Sequence, residues 1–297
     1  MNFKTKAFLL LIISLLLTGL VFSMPVTTAQ NAVLIKSSTI MQDLCCRWAD
    51  VFMLENPGTS ITVEGVGSAR SIRGLLDGKC DMAASSRKIS AQELVESIQK
   101  GIGLKEFYCG FAMYAVVVNP ENPVSKLTTK QVHDIFTGKI KNWKEVGGAD
   151  APIDVIFRQI NPGDYDHFVE GIIKLGKEKL NGYNEAQKIV LPMPADIAGM
   201  VSTNKNAISY LFSTDITKDV KTLAIKAKYD YIKPSVEDAS VGRYPYLRPL
   251  YFYVNSKDYI KVKKFIDFVL SDTGAQIAKK MNFVPFRPDY NIIELIL

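Results

Sequence analysis

In the stretch CDMAASSRKIS, residues 80–90, two hydroxyls and two cations directly follow a short apolar strand. The polar residues are, in order, Ser85, Ser86, Arg87 and Lys88. Ligands of open α/β sheets bind just beyond the carboxyl ends of strands, and hydroxyl and guanidinium groups donate hydrogen bonds to oxyanions. The stretch therefore predicts one wall of an anion site, formed by Ser86 and Arg87. The alternative is a solvated strand end, with Arg87 and Lys88 pointing to water.

Hydroxyl groups also follow the first expected strand, residues 32–35, which runs into Ser37, Ser38 and Thr39. A helix is expected next, because apolar residues recur there at a spacing of four. These residues are Ile40, Leu44, Trp48 and Phe52. Ser38 or Thr39 is placed to cap this helix, whose first N–H groups would attract an anion.

The second expected strand, residues 60–64, repeats this arrangement. Gly65 and Gly67 follow it, and a helix is expected from about Ser68 to Gly78. Three strand ends in the first 90 residues thus carry hydroxyls, and two of them open helices. This is the pattern of a parallel sheet with an anion site at its edge.

Two long apolar stretches divide the remaining chain: EFYCGFAMYAVVVNPENP and YPYLRPLYFYVN. Each is longer than one ordinary strand needs, so each is expected to cross between domains. A strand ending at Arg158 lies between them, followed by a helix capped by Asn161 with Pro162 at its first position. The pattern predicts an α/β fold of two lobes, joined by two crossover strands with an interlobe cleft. Lobe 1 is expected over residues 30–113 and 246–297, and lobe 2 over residues 114–245.

The amino terminus has the layout of a secretory signal peptide over residues 1–29. Lys4 and Lys6 precede an apolar run, and Thr27 and Ala29 are small residues before a cleavage site. A periplasmic location follows. The alternative is an uncleaved membrane anchor, although the apolar run is short for a membrane span.

Composition narrows the classes of function. The net charge of +6 is too small to argue by itself for a nucleic-acid partner. With only two histidines and no Walker motif, we expect no metal, no cofactor and no enzyme active site. The four cysteines fit no zinc spacing, and they are interpreted as buried thiols or as disulfides in one of three connectivities.

Several longer motifs resemble one family. They are SSTI, PGTSITVEGVGSARSIRGLLDGKCDMAASSRKIS, AVVVNPENPVSKLTTKQVHDIFTGKIKNWKEVGG, APIDVIFR, YPYLRPLYFYVN and FIDFVLSDTGAQIAKKMNFVPF. In this order they resemble the phosphate-binding proteins of bacterial ABC phosphate importers, which have the type II periplasmic-binding-protein fold. The resemblance implies a monomer whose lobes close over inorganic phosphate or a related oxyanion, and which delivers it to the membrane subunits of an ABC transporter.

The resemblance also implies ligand-binding residues where the motifs match. Thr39 and the backbone of Ile40 correspond to the family's first contact with phosphate, and Ser68 to the second. Ser86, with Arg87 beside it, corresponds to the third contact, where some members have an aspartate that accepts the proton of monohydrogen phosphate. Arg158 corresponds to the arginine of the second lobe.

One motif departs from the family. Four residues after its arginine the family usually has Ser-Gly-Thr, whereas this chain has Pro162, Gly163 and Asp164. Gly163 remains as a ligand-binding position, but both hydroxyls are replaced. Asp164 either joins Asn161 in capping the helix or accepts the proton of bound monohydrogen phosphate.

The sequence therefore predicts an extracytoplasmic solute-binding protein that captures an oxyanion, phosphate first, for an ABC importer. The alternative is an extracytoplasmic sensor or interaction module of the same fold whose cleft binds a different ligand or none. Four residues on the return stretch are expected mostly in packing or at the hinge, with Arg243 as a further source of charge for the cleft. They are Arg243, Tyr244, Tyr246 and Arg248.

Overall fold

A computed structural model describes residues 31–159, Phe168 and residues 189–286. The predicted signal peptide and the helix expected after Asn161 lie outside these residues. None of the helices in the described part of the chain combines the length and apolar character that a membrane crossing requires.

The first part of the chain alternates strands and helices, as the sequence predicts. Leu44, Trp48 and Phe52, which mark the spacing of four in the first helix, are all buried in the core. The elements are strand β1 (Asn31–Ser37), helix α1 (Gln42–Glu55), strand β2 (Thr59–Gly65), helix α2 (Ser68–Leu76) and strand β3 (Met82–Ser85).

The three strands end at a common edge. β1 pairs in parallel with β2 and β3, and Ser37 lies opposite Gly65 on one side and Ala84 on the other. The residues that follow each strand are therefore brought together, among them Ser38, Ser68 and Ser86. This is the edge at which the sequence predicts an anion site.

The middle of the chain begins with helix α3 and a long strand of 15 residues, β4. The elements are α3 (Ala91–Gln99), β4 (Leu104–Val118), β5 (Lys126–Thr128), α4 (Thr129–Phe136), β6 (Asp154–Arg158), β7 (Ile189–Leu191), α5 (Pro194–Thr203) and β8 (Ala207–Phe212). The expected strand ending at Arg158 is confirmed as β6.

The last described part contains the second long strand, β12. The elements are β9 (Lys221–Thr222), β10 (Ala224–Lys226), β11 (Tyr231–Ile232), α6 (Val236–Ser240), β12 (Leu247–Asn255), α7 (Tyr259–Val269), α8 (Asp272–Lys280) and β13 (Val284–Pro285). Most strands join one sheet in the order β2-β1-β3-β12-β4-β8-β6-β7, with β9 and β13 also paired to β4. A smaller sheet has the order β11-β10-β5.

β4 and β12 are the two crossover strands. β4 pairs with β12 as far as Met113 and with β8 from Tyr114 onwards, so one strand belongs to both halves of the sheet. β12 is antiparallel to β4 and also pairs with β3. The division into lobes at residues 113/114 and 245/246 stays a prediction, which this change of partner supports.

All four cysteines are free thiols. Cys45 and Cys109 are buried, and burial raises the pKa of the Cys45 thiol to about 12. Thiols with raised pKa values are poor nucleophiles near neutral pH. The interpretation of the cysteines as thiols, rather than as disulfides, therefore agrees with the structure.

Candidate functional site

A cavity of about 400 Å³ lies where the two halves of the molecule meet. Its wall includes Thr39, Ile40 and Asp43 from the first part of the chain. Arg158, Phe212 and Asp215 contribute from the second. The cavity therefore brings together three positions that the sequence predicts as ligand-binding, Thr39, Ile40 and Arg158.

Arg158 is the last residue of β6, after the buried residues Val155, Ile156 and Phe157. Its side chain is half-buried, and within the described part of the chain it forms no salt bridge and no hydrogen bond. A guanidinium in a cavity with donors to spare is suited to a tetrahedral oxyanion, which it can bind through two parallel hydrogen bonds.

Asp215 is a wall residue that the sequence analysis missed. It ends a short 3-10 helix, Ser213–Asp215, that directly follows β8. Burial raises the pKa of the Asp215 carboxyl, an effect that the positive charge of Arg158 only partly offsets. The sequence signal that could have found Asp215 is a polar stretch directly after an apolar strand. The residues STD follow β8 in this way, as hydroxyl groups follow β1 and β3.

Three hydroxyls form a serine cluster beside the cavity: Ser38, Ser68 and Ser86. Ser86 Oγ lies 2.8 Å from Ser38 Oγ and 3.2 Å from Ser68 Oγ. The Ser86 N–H donates to Ser68 Oγ at 3.0 Å. Ser38 connects the cluster to the cavity, because the next residue in the chain, Thr39, is part of the cavity wall. Neither Ser68 nor Ser86 contributes to that wall.

The expectation that Ser38 or Thr39 caps α1 is wrong, because Met41 precedes that helix and no side chain caps it. Ser38 precedes a 3-10 turn, Thr39–Met41, and makes no side-chain capping hydrogen bond. α2 is preceded by Gly67, whose φ of 87° is accessible to glycine at little cost, and it has no side-chain cap either. Because the hydroxyls bond to one another instead, the N–H groups at the start of α2 stay available to a polar ligand.

The side chain of Arg87 forms a salt bridge with Glu93. Its Nη1 and Nη2 donate to the two carboxylate oxygens of Glu93 at 2.8 and 2.7 Å. Glu93 also forms a capping box with Ser90 at the start of α3, so Arg87 ties the end of β3 to that helix. Arg87 is not part of the cavity wall, and its contact with an oxyanion stays a prediction.

Two predicted ligand-binding residues, Gly163 and Asp164, lie outside the described residues, as does Pro162. In the ranges that the structure describes, no group of three or more His, Cys, Asp or Glu side chains is arranged to hold a metal ion. The described polar side chains of the cavity wall are hydroxyls, carboxyls, an amide and a guanidinium.

The family to which the chain belongs follows from its similarity to known proteins. The profile of the PBP superfamily domain matches residues 24–273, and the chain is a member of that superfamily. The predicted two-lobed α/β fold, with its two crossover strands and its cleft, is the fold of this class and is confirmed.

The similarity extends to phosphate-binding proteins in particular. The phosphate-binding protein PstS of Bacillus subtilis (strain 168) is 29% identical over 265 residues, which is 86% of this chain and 81% of the relative. A substrate-binding protein from Clostridium perfringens, solved with bound phosphate, is 29% identical with a TM-score of 0.67, and the match covers 86% of this chain and 100% of that one. An ABC-type phosphate transport receptor from Vibrio cholerae is 27% identical with a TM-score of 0.68, over 85% and 99% of the two chains. The resemblance based on motifs is confirmed.

Replacing Asp215 by Asn is expected to raise the free energy of unfolding of the ligand-free protein at neutral pH. Because the folded-state pKa is raised above 3.8, ionisation of this carboxyl costs stability as the pH rises from the unfolded-state value through the folded-state value. The gain should be small near pH ~4 and grow toward pH ~7, which urea denaturation at a series of pH values measures.

Asp219→Asn is the control, because Asp219 is an exposed carboxylate four residues further along the same segment. It should leave the pH dependence unchanged. If Asp215→Asn raised the free energy of unfolding equally at every pH, the raised pKa of the Asp215 carboxyl would be contradicted.

Proposed function

We propose that this chain is an extracytoplasmic solute-binding protein that captures inorganic phosphate for an ABC importer. The observation that carries the proposal is the cavity whose wall contains Arg158, Thr39 and Ile40. Arg158 comes from one half of the molecule and Thr39 and Ile40 from the other, so an anion between them would hold both halves together.

Binding would use hydrogen bonds and charge without a chemical step. Arg158 supplies a bidentate donor and a full positive charge, while Thr39 and the backbone of Ile40 supply neutral donors. Closure of the lobes removes water from the anion, and the lower effective dielectric strengthens each of these contacts.

Ser68 and Ser86 would join the site by exchanging partners. In the serine cluster their hydroxyls bond to one another at 3.2 Å, and each hydroxyl can donate only one proton. A ligand oxygen that entered beside Thr39 would accept a proton now used within the cluster. The hydroxyl would then exchange a neutral hydrogen bond within the cluster for a charge-assisted one to the ligand, and this exchange favours binding of the anion.

The membrane subunits of an ABC transporter are the partner that this function implies, and the protein would act as a monomer in the periplasm. A second candidate function is an extracytoplasmic sensor or interaction module of the same fold. The specific observation that favours it is the replacement of the family's Ser-Gly-Thr by Pro162, Gly163 and Asp164, which removes two hydroxyl donors.

Arg158→Ala is expected to weaken phosphate binding about a hundredfold or more. Hydrogen bonds to charged groups contribute ~1.5–3 kcal/mol each, and the guanidinium can make two. Isothermal titration calorimetry of protein stripped of ligand measures the change in Kd.

Arg73→Ala is the matched control, because Arg73 forms a salt bridge with Glu96 on the surface and its side chain is 52% exposed. Phosphate should bind this variant as it binds the wild type. Equal affinity of the Arg158 variant and the wild type would remove Arg158 from the site.

The carboxyl that accepts the proton of monohydrogen phosphate is expected to set the selectivity against sulphate. A carboxylate ~4 Å from a bound anion costs roughly 4 kcal/mol at an effective dielectric of ~20. A shared proton turns that contact favourable for phosphate, whereas sulphate has no proton to share near neutral pH. If Asp164 is the acceptor, Asp164→Asn should raise the affinity for sulphate relative to phosphate.

Asp215→Asn, titrated in parallel with both anions, distinguishes the two candidate acceptors. The variant in which the ratio of sulphate to phosphate affinity rises identifies the carboxyl concerned. An unchanged ratio in the Asp164 variant would leave Asp164 with the helix-capping role alone.

Export with cleavage after Ala29 predicts a mature protein that begins at Gln30. The layout of the first 29 residues, with two lysines before the apolar run, supports this. Mass spectrometry of protein recovered from the extracytoplasmic fraction of the expressing cell measures its amino terminus. Full-length protein in the membrane fraction would favour the uncleaved anchor instead.

A further inference from the structure

Arg248 on β12 is a buried cation at the junction of the two halves. The residue is only 8% exposed. Nε donates to the backbone oxygen of Ser86 at 2.5 Å, and Nη1 donates to the Tyr114 hydroxyl at 3.1 Å. The guanidinium carbon lies 6.0 Å from the centre of the Phe212 ring, which is part of the cavity wall.

Among the described residues, no carboxylate pairs with Arg248. Its partners there are a carbonyl oxygen, a phenol hydroxyl and an aromatic ring, none of which carries a full negative charge. Arg243, five residues earlier, is by contrast exposed and paired with Asp238. A buried charge without a counter-charge is strongly unfavourable, and a bound anion near Arg248 would supply one.

The surroundings of Arg248 indicate where that anion binds. Ser86, whose carbonyl Arg248 holds, is the central member of the serine cluster. Phe212, whose ring centre lies 6.0 Å from the guanidinium carbon, belongs to the wall of the cavity that contains Arg158. Arg248 thus lies between the two described parts of the candidate site.

We propose that Arg248 is a second cationic group of the anion site, which positions Ser86 through its carbonyl and favours a doubly charged ligand through its own charge. This role rests on the phosphate binding proposed above. In this proposal Arg248 both fixes the position of Ser86 in the serine cluster and contributes to the preference of the site for the dianion over the monoanion. Arg248 acts across its neighbours and is therefore a positioning residue.

Among the described residues, the other charged or titratable groups around the site are the Tyr114 hydroxyl on Arg248 itself, the Arg87–Glu93 pair beside Ser86, and Arg158, Asp43 and Asp215 in the cavity wall. Asp164 is predicted to join them. All of them are unchanged in an Arg248 variant. A difference between variant and wild type therefore isolates the charge of Arg248 from their titration.

The test compares phosphate affinity by calorimetry at pH ~6 and pH ~8, because phosphate groups change from mainly singly to mainly doubly charged across this range. Arg248→Gln keeps a donor near the Ser86 carbonyl but removes the charge. We expect Kd to rise about tenfold or more at pH ~8, and clearly less at pH ~6, because the lost attraction scales with ligand charge. Arg248→Lys retains the charge and should keep the pH dependence of the wild type. Arg243→Gln, which removes an exposed arginine, should match the wild type at both pH values.

A loss in the Gln variant that is equal at both pH values would overturn the electrostatic role, since misplacement of Ser86 alone does not depend on ligand charge. Wild-type affinity in the Gln variant would overturn the proposal altogether and leave phosphate binding intact. If the wild type itself binds no phosphate, both the proposed function and this inference fail. Should the Gln variant not fold, as judged by thermal melting, the Lys variant decides: loss of the wild-type pH dependence would contradict the proposal.

Discussion

The antiparallel pairing of β4 with β12 is the constraint on which the rest of the structure depends. β4 is hydrogen-bonded to β12 in the first half of the molecule and to β8 in the second, so the orientation of the two halves is fixed by one continuous strand. This pairing places the carboxyl ends of β1 and β3 opposite that of β6. The hydroxyls of one half and Arg158 of the other consequently face the same space.

Charge balance in that space explains why an anion, rather than an uncharged solute, is the ligand that fits. Arg158 has donors to spare and Arg248 has no carboxylate partner in the described residues, whereas Arg87, Arg73 and Arg243 are each neutralised by a carboxylate. Asp43 and Asp215 are the carboxyls in the described part of the cavity wall, and burial raises the pKa of the Asp215 carboxyl. Two cations together with a carboxyl of raised pKa match an oxyanion that carries both negative charge and a proton.

The sequence predicted those features that depend on local pattern. The alternation of strands and helices up to Ser86, the strand ending at Arg158 and the two long crossover stretches all follow from periodicity, glycine stops and the lengths of apolar runs. Arg87 and Arg248 show where local pattern is insufficient. Arg87 was expected in the cleft, and its contact with an oxyanion stays a prediction. Local pattern did not show that its guanidinium pairs with Glu93, in the first turn of the following helix. Arg248 was assigned to packing and Arg243 to the cleft. Arg248 is nevertheless the buried one, because it contacts Ser86 and Tyr114, which lie 162 and 134 positions away in the chain.

A crystal structure of the mature protein with phosphate is the most direct test that this cavity is the binding site. Phosphate is expected between the two halves, with its oxygens within hydrogen-bond distance of the Arg158 guanidinium, Thr39 Oγ1 and the Ile40 N–H. The Ser68 or Ser86 hydroxyl should turn from the serine cluster toward the ligand. Phosphate bound elsewhere on the molecule, or a cavity that stays without phosphate at saturating concentration, would contradict the assignment of this site.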